Sequence, residues 1–222
     1  MARENYQRAL ADLRSDVYAM GTLVQGRLDD AVESLATGDA ALARRIHEGD
    51  DDVDELYLDL ESQCVDLFAL QQPVASDLRF VTASFKITTD LERIGDLATN
   101  LGQYARAKRH ETDVDLAELG RTASDLLGDS LVAYRDEHAD ACREIARRDD
   151  RLDALCQRAG ERVARDLIER EPGNGDAWTA EELLDDASRV LLTVRDLERV
   201  GDHAVNIAAR TLYAAENDPA LL

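Results

Sequence analysis

The sequence predicts an all-α protein built as two tandem, sequence-related three-helix bundles with six long helices. Three observations predict it. Apolar residues recur at helical spacings of three and four, and strand-like alternation is hard to find. The 222 residues include three prolines, at 73, 172 and 219, so long uninterrupted helices are permitted. One eleven-residue stretch occurs twice, 106 residues apart: Asp90-Leu91-Glu92-Arg93-Ile94-Gly95-Asp96-Leu97-Ala98-Thr99-Asn100 returns as Asp196-Leu197-Glu198-Arg199-Val200-Gly201-Asp202-His203-Ala204-Val205-Asn206. A repeat of that length and fidelity reads as a duplicated half.

The first helix is expected from about Glu4 to Ala36, with Leu13, Val17, Met20, Val24, Leu28, Ala31 and Leu35 on one stripe. Thr37-Gly38-Asp39 ends it, and Asp39 is placed to cap the next helix. That helix runs from Ala40 to about Leu70, turning Ile46, Val53, Leu56, Leu60, Cys64 and Leu67 inward, until Gln71-Gln72-Pro73 breaks it. The third, from about Val74 to Lys108, carries the first copy of the repeat. A polar junction, His110-Glu111-Thr112-Asp113, then divides the chain into a first repeat, 1–110, and a second, 111–222.

Helix four is expected from about Val114 to Arg135, helix five from Ala139 to Arg170 and helix six from Thr179 to Glu216. Helix five matches the register of helix two at an offset of 99 residues, Ile46, Val53 and Asp54 against Ile145, Leu152 and Asp153. The turn Glu171-Pro172-Gly173-Asn174-Gly175-Asp176 absorbs the difference between the two offsets. At 1.5 Å per residue the helices are on the order of 45–50 Å long. Short connections make consecutive helices antiparallel.

Composition narrows the partners. The net charge is −21, which disfavours nucleic acid and anionic membrane surfaces. Lys86 and Lys108 are the only lysines among many acids, a balance expected of a halophile with a salt-rich cytoplasm. Cys64, Cys142 and Cys156 are odd in number and form no C-x-x-C, so they are expected as reduced core residues. The N-terminal residues lack a signal peptide's apolar core, and no apolar run approaches the ~20 residues of a membrane span, so a cytoplasmic protein is expected.

The chemistry lies in the acids. Glu92 and Asp96 are four apart on one stripe of their helix, as are Glu198 and Asp202, and such neighbours stand roughly 5–6 Å apart at Cβ. Two carboxylates at that spacing can grip one cation. The 99-residue register exposes a second pair in each half, Asp50 with Asp54 and Asp149 with Asp153. In antiparallel hairpins these pairs come level with the first, so each set of four converges on one patch. At 4 Å a pair of such charges repels by about 4 kcal/mol at an effective dielectric of 20, which a cation would offset. Oxygen-only ligands suit hard or borderline cations such as Mg, Mn or Fe.

Gly95 and Gly201 recur inside helices at about 1 kcal/mol each relative to alanine, which implies close approach by a neighbour. The plainer reading is a solvated charged face, with Asp90–Arg93 and Arg93–Asp96 as i,i+3 ion pairs. Acidic i,i+4 pairs arise often by chance in so acidic a chain, and the duplication is what raises these above it. His203 points off the Glu198/Asp202 stripe and is expected as a packed or exposed histidine. No phosphate loop, G-x-S-x-G motif or Glu-x-x-His di-iron signature occurs.

Three stretches together resemble the PhoU family of phosphate-specific transport accessory proteins: Gln72-Pro73-Val74-Ala75-Ser76-Asp77-Leu78-Arg79, Asp90 to Asp96, and Arg195 to Ala208. The resemblance covers nearly the whole chain, including the duplication, although the second half has no clear equivalent of 72–79. It implies a pair of three-helix bundles, commonly homodimeric, that represses phosphate uptake when phosphate is plentiful. It implies docking on the phosphate ABC transporter's PstB-like ATPase and, in bacteria, on a sensor kinase. It further implies iron, zinc or other cations held by Glu/Asp-x-x-x-Asp motifs. Carried over by position, these are Glu92, Asp96, Glu198 and Asp202, with Asp50, Asp54, Asp149 and Asp153 from the preceding helices. Two competing classes are a metal-dependent phosphohydrolase, compatible with clustered oxygen-ligated metals, and a purely structural acidic bundle.

Overall fold

Helices account for nearly all of the computed structural model, which describes residues 2–48, 50–70, 74–107, 113–169 and 180–222. The elements are α1 (Ala2–Thr37), α2 (Ala40–Glu48), α3 (Asp50–Leu70), α4 (Ala75–Ala107), α5 (Leu116–Asp136), α6 (Ala139–Glu169) and α7 (Ala180–Glu216). The second expected helix is thus α2 and α3, on either side of residue 49. No strand occurs among the described residues. The expected breaks at Gln71-Gln72-Pro73 and 171–176, and the junction from His110 to Thr112, lie outside the described residues.

The helix ends follow from local chemistry. Gly38 takes φ of 71°, where a side chain would be strained, and its N–H donates to the Ser34 carbonyl at 2.8 Å. Asp39 then caps α2, its Oδ1 accepting from the N–H groups of Ala41 and Leu42 at 2.8 and 3.2 Å. Asp115 does the same for α5 by accepting from Glu118 at 2.8 Å.

The α1 stripe from Leu13 to Leu35 is buried throughout, as the spacing requires. On α3, Val53, Leu60, Cys64 and Leu67 are buried, but Leu56 is 36 % exposed. At about 100° per residue Leu56 sits near the edge of that stripe, and Tyr57 on the other edge packs against the core instead. All three cysteines are free and buried; burial pushes Cys64 and Cys142 up to about 11 and Cys156 up to about 12.

In the first half α1, α3 and α4 pack on one another with α2 against α4; in the second, α5, α6 and α7 do the same. The halves join through α1 against α5 and α4 against α7, and one apolar core runs across both. Close packing of α1 on α5 leaves no room for side chains at Gly21, which faces Leu131, or at Gly120, which faces Val32. Ser84 on α4 hydrogen-bonds the Tyr134 hydroxyl of α5 at 2.8 Å, and Arg14 on α1 stacks over Phe80 of α4 while pairing with Glu137. Viewed from one side, α3, α4, α7 and α6 form a layer in that order, with α1 and α5 behind it.

Candidate metal centre

Both copies of the repeated stretch lie in helix interiors, the first in α4 and the second in α7. Their apolar positions face the core: Leu91, Ile94, Ala98 and Leu101 are fully buried, and so are Leu197, Val200, Ala204 and Ile207. The glycines explain themselves by what lies against them. A Cβ on Gly95 would meet the Val53 side chain at 3.3 Å, and one on Gly201 would meet Leu152 Cδ2 and Asp149 Oδ1, each at 2.6 Å. Val53 and Leu152 are the residues matched by the 99-residue register, so both halves bring equivalent positions of the preceding helix onto the glycine.

In the second half this close approach delivers the acids. Asp149, on α6, sits against Gly201, one residue before Asp202. Burial, and then the charges of Asp153, Asp202, Asp150 and Glu198, push the Asp149 carboxyl up to about 6. Asp153 and Glu198 are raised too, by burial first and then chiefly by Asp202 and, for Glu198, by Asp153. Asp149, Asp153 and Glu198 are all raised by the charge of Asp202, so the four carboxylates are neighbours. Cys156 lies behind them, bonded through Sγ to the Val194 carbonyl at 3.8 Å, and burial plus the same four charges keep it a neutral thiol.

The first half carries the equivalent Glu92, Asp96 and Asp54. Arg93 bridges Glu92 at 3.3 Å and Asp96 at 3.4 Å, so one guanidinium sits within the pair. The side chain of Asp50 lies outside the described residues. In the second half Arg199 turns the other way, approaching Asp196 at 3.9 Å.

Asp90 and Asp196 depart from the simple ion-pair reading. Asp90 is not paired with Arg93; its Oδ1 bonds His203 Nδ1 at 2.8 Å and accepts from Asn206 Nδ2 at 3.3 Å, across the α4–α7 seam. Asp196 is fully buried, where it accepts from the Tyr104 hydroxyl at 3.1 Å and pairs with Arg195 at 2.9 Å. The first acid of each repeat therefore holds the halves together. His203 is a packed histidine, and its partner on α4 had no signal in helical spacing.

The donor set is all oxygen. Asp149 Oδ1 is buried with no hydrogen-bond partner, so a carboxylate oxygen faces inward among other carboxylates with nothing to satisfy it. The residues fit a hard cation on those grounds. Among the described residues no three His, Cys, Asp or Glu side chains stand gathered as a ready-made cage; the acids of the second half are neighbours that must turn inward to share one ion.

Comparison with known proteins gives a consistent result. A family model described as "PhoU domain" matches residues 17–105 and again 116–211. The chain is 33 % identical over 215 residues to the phosphate-specific transport system accessory protein PhoU homolog 1 of Thermotoga maritima, covering 94 % of this chain and 88 % of that protein. It is 30 % identical over 218 residues to the corresponding PhoU homolog of Clostridium acetobutylicum, covering 96 % and 95 %. The crystal structure of PhoU from Pseudomonas aeruginosa superposes with a TM-score of 0.87 at 28 % identity, covering 96 % of this chain and 100 % of that one.

Proposed function

Because this chain belongs to the PhoU family, with the PhoU domain matched twice along it, we propose that it is a regulatory adaptor of phosphate homeostasis. It represses phosphate uptake when phosphate is plentiful, by docking on the PstB-like ATPase of a phosphate ABC transporter and, where one is present, on a sensor kinase. Support comes from relatives named as accessory proteins of phosphate-specific transport, matched over nearly their full length. Those names describe no enzyme, which favours the adaptor over a phosphohydrolase. The adaptor would work in the cytoplasm beside the transporter; among the described residues no helix is long and apolar enough to cross a membrane. A homodimer and a salt-rich cytoplasm belong to the same reading.

The observation that carries a cation role is the inward, unpartnered Asp149 oxygen beside Gly201. Asp149, Asp153, Glu198 and Asp202 would hold one site; Asp50, Asp54, Glu92 and Asp96 the other. A bound Mn, Mg, Fe or Zn ion supplies positive charge that cancels the repulsion among these groups. The chain's part is to bring two helices level: Asp149 and Asp153 come from α6, Glu198 and Asp202 from α7, and Gly201 lets the helices close.

Two measurements test this. Deleting the gene should derepress phosphate uptake in phosphate-rich medium; uptake that stays repressed refutes the regulatory reading. Metal analysis of the purified protein should find cations in both halves, with Asp96→Asn and Asp202→Asn each losing one site while the helical signal persists. Full loading of both variants would show that the ligands lie elsewhere.

A further inference from the structure

Offsets within the repeat extend beyond the acids. Leu78, Phe85 and Glu92 lie 17, 10 and 3 residues before Gly95, and Asp96 one after it; Leu184, Leu191, Glu198 and Asp202 stand at the same offsets from Gly201. Steps of seven, seven and four keep each set on one stripe. The side of α3 that faces α1 is fixed by Arg27–Asp52 at 3.0 Å and Gln63–Asp16 at 3.1 Å. The opposite flank, carrying Asp54, Leu58, Val65 and Phe68, therefore looks out of the front of the α3–α4–α7–α6 layer, beside the α4 stripe.

The apolar residues there are solvent-exposed: Leu58 by 61 %, Val65 by 53 % and Leu78 by 45 % in the first half, Leu184 by 58 % and Leu191 by 43 % in the second. Leu191 lies beside Gly160 of α6, where a Cβ would stand 3.9 Å from its Cδ2, so the exposed apolar strip of α7 borders α6. The contacts Asp90–His203 and Tyr104–Asp196 run antiparallel along the α4–α7 seam. They set the two acidic groups level with each other and the two apolar ends at opposite corners. The front of the layer is thus an acidic band with a strip of exposed apolar residues leaving it on either side, in opposite directions.

We propose that this face docks cationic amphipathic helices of a partner protein, one helix along each half's apolar strip, with lysines or arginines on the acidic band and apolar side chains over Leu184 and Leu191 or over Val65 and Leu78. Charge selects that occupant. Contiguous exposed apolar surface next to concentrated like charge fits a partner that buries the one and neutralises the other. A second copy of this chain, itself carrying −21, would bring acid against acid. Cations and the partner's basic groups compete for the same oxygens, so cation loading loosens docking. The inference rests on the adaptor reading and adds to it the surface and the partner's chemistry.

The test is a fluorescence titration of the full chain with a labelled 18-residue helix of leucine and lysine, against the same residues shuffled out of helical period and a leucine–glutamate helix. Two leucine–lysine helices should bind per chain, and the controls should bind at least about tenfold more weakly. Leu184→Ser with Leu191→Ser, and separately Val65→Ser with Leu78→Ser, should each reduce the stoichiometry to one while circular dichroism stays unchanged. Unaltered binding by both variants, or equal binding of the shuffled peptide, overturns the inference. Expressing the variants in the deletion strain separates the two readings. Repression by a variant that has lost the helices removes this face from the mechanism; absence of repression by the unaltered chain removes the adaptor reading itself.

Discussion

Alanine at Gly201 and alanine at Gly95 are the same substitution at equivalent points of the two repeats, yet their surroundings predict different outcomes. In an unconstrained helix interior each should stabilise by about 1 kcal/mol. At Gly95 the new Cβ meets Val53 Cγ1 at 3.3 Å and the other two nearest atoms at 3.7 and 3.8 Å, which a shift of a few tenths of an ångström accommodates. Gly95→Ala should therefore lie between neutral and about 1 kcal/mol more stable. At Gly201 the Cβ would stand 2.6 Å from both Leu152 Cδ2 and Asp149 Oδ1. Asp149 can swing toward water, but Leu152 is fully buried and has nowhere to go. Overpacking of that kind costs about 1–3 kcal/mol, so net of helix propensity Gly201→Ala should be destabilised by about 0–2 kcal/mol. Urea unfolding in chelator, with m-values compared, measures both. Stabilisation of Gly201→Ala by as much as Gly95→Ala would refute the tight packing of α6 on α7.

The raised Asp149 gives a pH signature. Its folded value of about 6 lies above an unfolded value of about 3.9, so its ionised form costs stability above that window and the cost disappears as pH falls through it. Asp149→Asn should stabilise the metal-free protein near pH 7 by about 1 kcal/mol, discounted because the carboxyl is only partly buried, and by nothing near pH 4; a gain independent of pH would contradict the shift. Salt should act in the same direction: screening shortens from about 10 Å at 0.1 M to about 3 Å at 1 M, so the melting temperature should climb steeply with KCl. A flat dependence would remove the halophile expectation. His203→Ala should weaken the α4–α7 seam by about 1 kcal/mol in unfolding measurements, since it removes the shorter of the two bonds Asp90 makes across the seam, and no change would show that this bridge between the halves is idle.

Helical spacing made much of the fold legible. The α1 stripe, the Asp39 cap and both glycines are local signals, and local structure followed them. The 99-residue register likewise placed Asp149 and Asp153 beside Glu198 and Asp202, because the duplication aligned one half with the other. Spacing assigns a residue to a face, however, and does not name what packs there. Hence α1 against α5 was not visible, nor was Asp90 reaching His203, because both contacts join segments about a hundred residues apart. Leu56 was misplaced for a related reason: at a stripe's edge, burial depends on how far the neighbouring helix extends.

If the repeated carboxylates are the working part of the proposed phosphate-dependent brake, repression needs their charge. Phosphate uptake in phosphate-rich medium, by a deletion strain carrying Glu92→Gln with Glu198→Gln, tests that most directly. The two changes keep side-chain size and together remove one charge from each half, so the protein should remain folded and abundant. The account predicts uptake as high as in the deletion strain itself. Normal repression by that variant, at matched protein level, would mean that the acids serve solubility or fold and that the signal passes through another surface.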